Sequence, residues 1–278
     1  MRVLQTIAAG FLLTLVAPAA IAQTSDEDKA DRATDSVSST NGPSLNFTPS
    51  FTIGFDYSEG DFGADLDTTT LSVPVSARVD VGDFRFSVST SWLQIEGPGG
   101  VVADGVVIGD GPTGLLETNN GIGDVTLGVN YNIPTQNTGK FIVQLQGRLK
   151  IPVASTTDSL GTGEFDGGGA VDIAYDLGKF TPFVTVGYRL RGDPEGADLN
   201  NTFSVSAGAS YNLGGGYALL GSYDFRQRTT DTAENSNEVF GAVTGKFNDT
   251  IRWTLYGSVG FTDGAPDQGA GVQLTFRF

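Results

Sequence analysis

The stretch Leu45-Asn46-Phe47-Thr48-Pro49-Ser50-Phe51-Thr52-Ile53-Gly54-Phe55-Asp56-Tyr57 alternates with a period of two. Leu45, Phe47, Phe51, Ile53, Phe55 and Tyr57 share one parity, and Asn46, Thr48, Ser50, Thr52 and Asp56 share the other. Successive side chains of an extended strand point to opposite faces, so this is a strand with one apolar and one polar face. The pattern returns at Leu71, Val73, Val75, Ala77, Val79 and Val81 against Ser72, Pro74, Ser76, Arg78 and Asp80. It returns again at Val125, Leu127, Val129, Tyr131 and Ile133 against Asp124, Thr126, Gly128, Asn130 and Asn132. Twelve such segments run to the end of the chain, at about 45–57, 68–81, 84–95, 123–133, 140–153, 165–177, 180–191, 201–213, 216–228, 238–248, 250–261 and 268–278. Short turns at Gly82-Asp83, Gly178-Lys179, Gly214-Gly215 and Asn248-Asp249 alternate with longer loops, the longest near 96–122. An even strand number with short turns at one end predicts an all-β fold, a transmembrane up-and-down antiparallel β-barrel of about 12 strands over residues 44–278. Pro74 falls in mid-strand, where its missing N–H predicts a bulge or a shortened strand.

A soluble sandwich would alternate in the same way, so the side chains on each parity decide between the two. Nearly all strand aromatics share the apolar parity and gather near strand ends: Phe47, Tyr131, Phe141, Tyr175, Phe180, Tyr211, Tyr217 and Phe247 at the short turns, and Tyr57, Trp92, Tyr188, Phe203, Phe225 and Phe261 at the long loops. Two girdles of rings suit a bilayer with two interfaces. The strand cations Arg78, Arg85, Arg148, Lys150, Arg189, Arg191, Arg226, Arg228, Lys246, Arg252 and Arg277 all take the polar parity. A barrel sends that parity into its lumen, whereas an Arg facing lipid costs about 2–4 kcal/mol at the midplane.

The N-terminus places Arg2 before an apolar run from Ile7 to Val16 and small residues at Ala20 and Ala22. This order predicts a secretory signal peptide over residues 1–22, too short in its apolar part to span a bilayer as a helix. Residues 23–43 are polar and acidic with almost nothing to bury, which predicts a disordered segment. The predicted location is the bacterial cell outer membrane, with outer-membrane lipid as the first partner.

Composition excludes several kinds of chemistry. The 278 residues contain no His and no Cys. That removes thiolate nucleophiles, Ser-His-Asp triads, disulfides and the usual zinc sites. A net charge of −16 argues against nucleic acid as a partner. No carboxylate spacing singles out an acid–base pair, so neither catalysis nor a cofactor is expected.

The chain ends in Leu274-Thr275-Phe276-Arg277-Phe278, which resembles the C-terminal signature of bacterial outer-membrane barrels and implies delivery to the barrel-assembly machinery through Phe278. Three hairpins share the plan Tyr131-Asn132-Ile133, Tyr175-Asp176-Leu177-Gly178 and Tyr211-Asn212-Leu213-Gly214. The segment Gly121-Ile122-Gly123-Asp124-Val125-Thr126-Leu127-Gly128-Val129-Asn130-Tyr131, with Thr181-Pro182-Phe183-Val184-Thr185-Val186-Gly187-Tyr188, resembles the MetA-pathway phenol-degradation family of outer-membrane β-barrels. The resemblance covers most of Leu45 to Phe278 and implies transport of small, often hydrophobic compounds; it assigns no binding residue.

Two readings of the lumen stay open at this level. Arg148 and Lys150, Arg189 and Arg191, and Arg226 and Arg228 could form a cationic ladder selecting anions. Alternatively these cations, with Arg78, Arg85 and Arg252, pair with Asp56, Asp80, Asp124, Asp166, Asp172, Asp176, Asp224 and Glu238 and fill the interior. Three aromatics on the lumen parity, Phe183, Phe240 and Tyr256, could give small hydrophobic or aromatic solutes an apolar path. The long loops carry acids such as Glu59, Asp61, Asp65, Asp263 and Asp267 and no Lys or Arg. Their carboxylates suit divalent cations or a merely solvated rim, and the sequence names no metal ligands. The glycines at 97, 99, 100, 105, 109, 111 and 114 would let the 96–122 loop fold inward and narrow the channel. The expected function is passive diffusion of small solutes; the alternative is a non-conducting barrel whose acidic loops serve surface adhesion or lipid contact.

Overall fold

The computed structural model describes residues 47–98, 101–103, 106–108, 116–134 and 140–278. The predicted signal peptide and polar segment lie outside these residues. The strands are β1 (Phe47–Gly60), β2 (Thr68–Val81), β3 (Phe84–Gly97), β4 (Val101–Ala103), β5 (Val106–Ile108), β6 (Glu117–Ile122), β7 (Val125–Ile133), β8 (Phe141–Ile151), β9 (Asp166–Tyr175), β10 (Phe180–Leu190), β11 (Thr202–Gly214), β12 (Tyr217–Arg226), β13 (Ser236–Lys246), β14 (Ile251–Gly260) and β15 (Gln268–Arg277). Each neighbouring wall pair is antiparallel, and β1 pairs with both β2 and β15, so the sheet closes on itself.

β6 and β7 are two parts of one wall strand, since both pair with β3. Trp92 faces Ile122 whereas Ser89 faces Thr126, so two residues on β3, Thr90 and Ser91, oppose three on its partner. The extra residue is a β-bulge at Gly123-Asp124, which swings the strand and turns Asp124 inward. With β6–β7 counted once and the small β4–β5 hairpin set aside, the barrel has twelve strands, matching the twelve sequence segments. Residues 117–122, expected in the long loop, instead extend the wall. The inward fold expected of the 96–122 loop falls largely on residues outside those described.

Burial is inverted relative to a soluble protein. Along β12, Tyr217, Leu219 and Tyr223 are exposed, while Ala218, Ser222, Asp224 and Arg226 are buried. The same holds in β10, where Phe180, Val184, Val186, Tyr188 and Leu190 face outward and Thr181, Thr185 and Arg189 face inward. An outer surface of this kind needs an apolar solvent. Strands of 9 to 14 residues, such as β7 and β1, suffice to cross a bilayer when tilted.

At the short-turn end, rings pair across strands: Phe84 with Tyr131 and Phe141 with Tyr175, each pair with centroids 4.8 Å apart. Three of these turns close alike. Asp176 Oδ1 accepts the Gly178 N–H at 2.7 Å, Asn212 Oδ1 that of Gly214 at 2.8 Å, and Asn248 Oδ1 that of Thr250 at 2.9 Å. Gly178 and Gly214 then take φ of +87° and +84°, a conformation that costs glycine nothing.

Pro74 departs from expectation. β2 runs unbroken through it, with Ile53 facing Val75 and Asp56 facing Ser72, so the register does not shift. The position opposite Pro74 is Gly54, where an added Cβ would lie 3.0 Å from Pro74 Cγ and 2.8 Å from Gln273 Cγ. A missing side chain makes room for the ring, and only the local pairing to β1 is lost.

Candidate functional site: the barrel lumen

The lumen is lined by hydroxyls, amides and charges whose positions follow from strand register. One register row runs Gln144, Asp172, Thr185, Ser206, Asp224, Glu238 across β8 to β13. Asp172 accepts hydrogen bonds from Thr185 and Gln146, and Asp224 from Ser206 and, at 2.9 Å, from Ser222. These bonds offset the cost of burying the carboxylates. A second row runs Arg148, Gly168, Arg189, Thr202. Gly168 lets β9 approach the β10 backbone closely, since a Cβ there would stand 2.8 Å from the Tyr188 carbonyl oxygen and 3.3 Å from Arg189 Cα.

The predicted lining cations are thus mostly inside, but not as a free ladder. Arg85 pairs with Asp80, and Arg78 Nε donates to Ser50 Oγ at 3.1 Å. Lys150 Nζ lies 3.2 Å from Asp124 and 3.1 Å from Asp166. Arg148, Arg189, Arg191, Arg226 and Arg252 each engage other groups as well. Arg226 donates to the Gly264 carbonyl at 3.2 Å, tying the last long loop to the wall. Arg191 lies just past β10 and is still buried. Arg228 does not line the lumen: β12 ends at Arg226, and Arg228 is exposed in the following loop, 3.6 Å from Asp231. The outer loops therefore do carry cations, contrary to the sequence reading.

Phe183, Phe240 and Tyr256 do come together. Phe183 and Phe240 form a buried cluster with Ala174, Leu220 and Ala242, against which Tyr256 and Ile142 pack. Phe240 and Tyr256 have ring centroids 6.0 Å apart. Sequence reading missed Leu220 and Ala242, although both lie on the lumen parity of their strands. This cluster fills the β9–β13 side of the interior, where Thr181, Ser210 and Ala218 are also at most 1% exposed. On the opposite wall the lumen-facing Ser87, Ser89, Thr126, Asn130, Gln144, Gln146 and Arg148 remain partly accessible.

A second apolar cluster sits nearer the long-loop end. Leu93 and Ile95, on the lumen side of β3, pack with Ala154 and Leu160 from the 152–165 loop. Leu160 reaches this position over Gly121, where an added Cβ would stand 2.6 Å from Leu160 Cδ1. Asp124 pins the loop root by accepting the N–H groups of Val153 and Ala154 at 3.1 and 3.0 Å. Lys150 completes the clamp by donating to Thr162 Oγ1 at 3.1 Å. Among the described residues this loop packs inward against the lumen face of β3. Among the described residues no group of three acidic side chains converges to hold a metal ion.

A closed antiparallel barrel with an apolar exterior, aromatic belts and a polar, partly filled lumen is a transmembrane β-barrel of the outer-membrane type. The chain belongs to the family described as "Putative MetA-pathway of phenol degradation", whose model matches residues 30–278. Its fold is similar to the crystal structure of an outer membrane channel from Pseudomonas putida F1, at 11% identity and a TM-score of 0.66, over 87% of this chain and 100% of that one. It is also similar to the NanC porin structure, at 10% identity and a TM-score of 0.55, over 81% of this chain and 98% of that one. No curated protein sequence is significantly similar to the chain.

Proposed function

We propose that the protein is an outer-membrane channel for passive diffusion of small solutes, uncharged, aromatic or weakly charged. The observation that carries this reading is the asymmetry of the lumen. Apolar packing closes the β9–β13 side, while polar side chains on β3, β7 and β8 stay partly accessible to solvent. A solute would move along that wall past Asn130, Gln144, Gln146 and Arg148, exchanging its hydration for amide and hydroxyl contacts. Family membership and the fold it shares with an outer membrane channel favour transport over adhesion. The absence of His and Cys from the chain favours a non-enzymatic role. Secretion through the predicted signal peptide and assembly through the terminal Phe278 belong to the same reading.

Liposome swelling with the refolded mature chain tests it. Glycerol and arabinose should enter, and raffinose should not. Liposomes carrying inserted barrel that swell for none of these sugars would support the non-conducting alternative.

A further inference from the structure

Above the Phe240–Tyr256 contact, toward the long-loop end, the lumen holds a small pocket of about 20 Å³, room for one small polar head group, that the transport reading leaves unused. Gly269 of β15 lines it, and Gly271, two residues on along the same lumen parity, lies beside it. Gly271 faces Asp56 on one side and Tyr256 on the other, and Gly269 faces Ser58 and Ser258. A Cβ at Gly271 would collide with Asp56 Oδ1 and the Tyr256 hydroxyl, so those two groups close over a glycine window. Across β1–β2, Ser58 faces Thr70 and Asp56 faces Ser72, placing four polar side chains in one block beside that window.

Three atoms of this block lack partners among the described residues: Asp56 Oδ1, Ser58 Oγ and Thr70 Oγ1. Ser58 and Thr70 are only 5% and 3% exposed, and all three residues line the pocket. Buried polar atoms are costly when unsatisfied, so an occupant that satisfies all three is favoured. Asp56 Oδ1 accepts only, and both hydroxyls can accept. The Tyr256 ring adds an electron-rich wall.

We propose that this pocket binds a small organic solute through a primary ammonium group. The ammonium has three donors and no acceptor, which matches the three orphaned oxygens, and its charge complements Asp56. Glu238, also on the pocket wall, faces Asp224, feels the charge of Arg226 and receives the Ser258 hydroxyl, so Asp56 is the anchor. The inference rests on the lumen being a route for small solutes, and it names the chemistry captured on the way.

The test is calorimetric titration of the refolded protein in detergent at pH 8 with n-propylammonium, n-propanol and tetramethylammonium. Saturable binding of n-propylammonium is expected, at least tenfold tighter than either comparison compound. Asp56→Asn and Gly271→Val should each weaken it at least tenfold, while both variants retain the heat-modifiable gel mobility of a folded barrel. No saturable binding to the wild type would overturn the proposal. So would equal binding of tetramethylammonium, which has no N–H, or unchanged binding by folded Asp56→Asn and Gly271→Val. Binding in detergent requires no open pore. A barrel that binds but passes no solute retains this site and loses the channel reading, and one that passes solutes without binding loses only the site.

Discussion

Lys150 Nζ stands 3.2 Å from Asp124 Oδ2, joining the top of β8 to the bulge in the β6–β7 wall strand. Both side chains are largely buried, so the pair is screened little by solvent and holds the 152–165 loop against the lumen face of β3.

Asp124→Ala removes that pair and the acceptor for the Val153 and Ala154 N–H groups, at a cost of about 2 kcal/mol. The loop should then be cut by proteinase K added outside proteoliposomes under conditions where the wild type resists. Gly121→Leu should do the same by occupying the space of Leu160 Cδ1. An unchanged cleavage pattern in both variants would show that neither contact holds the loop.

Phe240 is 1% exposed at the centre of the lumen's apolar cluster. Phe240→Ala should lower stability by about 3–5 kcal/mol, the usual range for emptying such a site. If the cavity joins the pathway, single-channel conductance rises as well. Urea unfolding in micelles reads the first effect and bilayer recording the second.

Val184 is 44% exposed on β10 and its neighbour Thr185 faces the lumen. Val184→Arg should cost about 2–4 kcal/mol in folding into liposomes, because the guanidinium meets lipid. The loss should shrink in a soluble detergent that lets water reach the belt. Equal stability of the variant in lipid and detergent would contradict the assignment of that face.

At the outer rim, Asp267 lies outside the membrane-spanning strands. Its carboxyl is raised above the ordinary value of 3.8 by partial burial first, and then by Asp61, Asp67 and Asp263, against a backbone hydrogen bond at Asp61. A carboxyl with a raised folded pKa binds its proton more tightly when folded, so stability falls as pH climbs from the ordinary value through the raised one. Asp267→Asn should therefore be more stable than wild type at pH 7 by at most a few tenths of a kcal/mol, since the group is largely solvated. The difference should vanish below the ordinary carboxylate range. Unfolding midpoints at pH 7 and pH 3 check the sign.

Strand number, parity and the outward face were legible in the sequence because a period of two is local and a lipid face tolerates no charge. The lumen was harder to read. Leu93 and Ile95 lie on the parity opposite the lipid-facing Trp92, a signal available in the sequence that nevertheless pointed to no partner. Their partner, Leu160, arrives from a loop whose course depends on a bulge at Gly123-Asp124 that no alternation marks. Arg228 was misplaced because parity continues to count past Arg226, where pairing has ended. Pro74 was read from its own chemistry alone, and the glycine that accommodates it lies twenty residues away on another strand. The partners of the lumen cations were not legible for a related reason: spacing along a strand reports which face a charge takes, not which group the neighbouring strand brings beside it.

The most direct test of the account is conductance and reversal potential of the mature protein, refolded and inserted in a planar bilayer under a salt gradient. The account predicts steady, small conductance with cation preference, because the lumen cations are engaged by neighbouring groups while the rim and Asp56 supply negative charge. A correctly inserted barrel that stays silent would contradict the open route along β3, β7 and β8, and anion preference would restore the arginine ladder in its place.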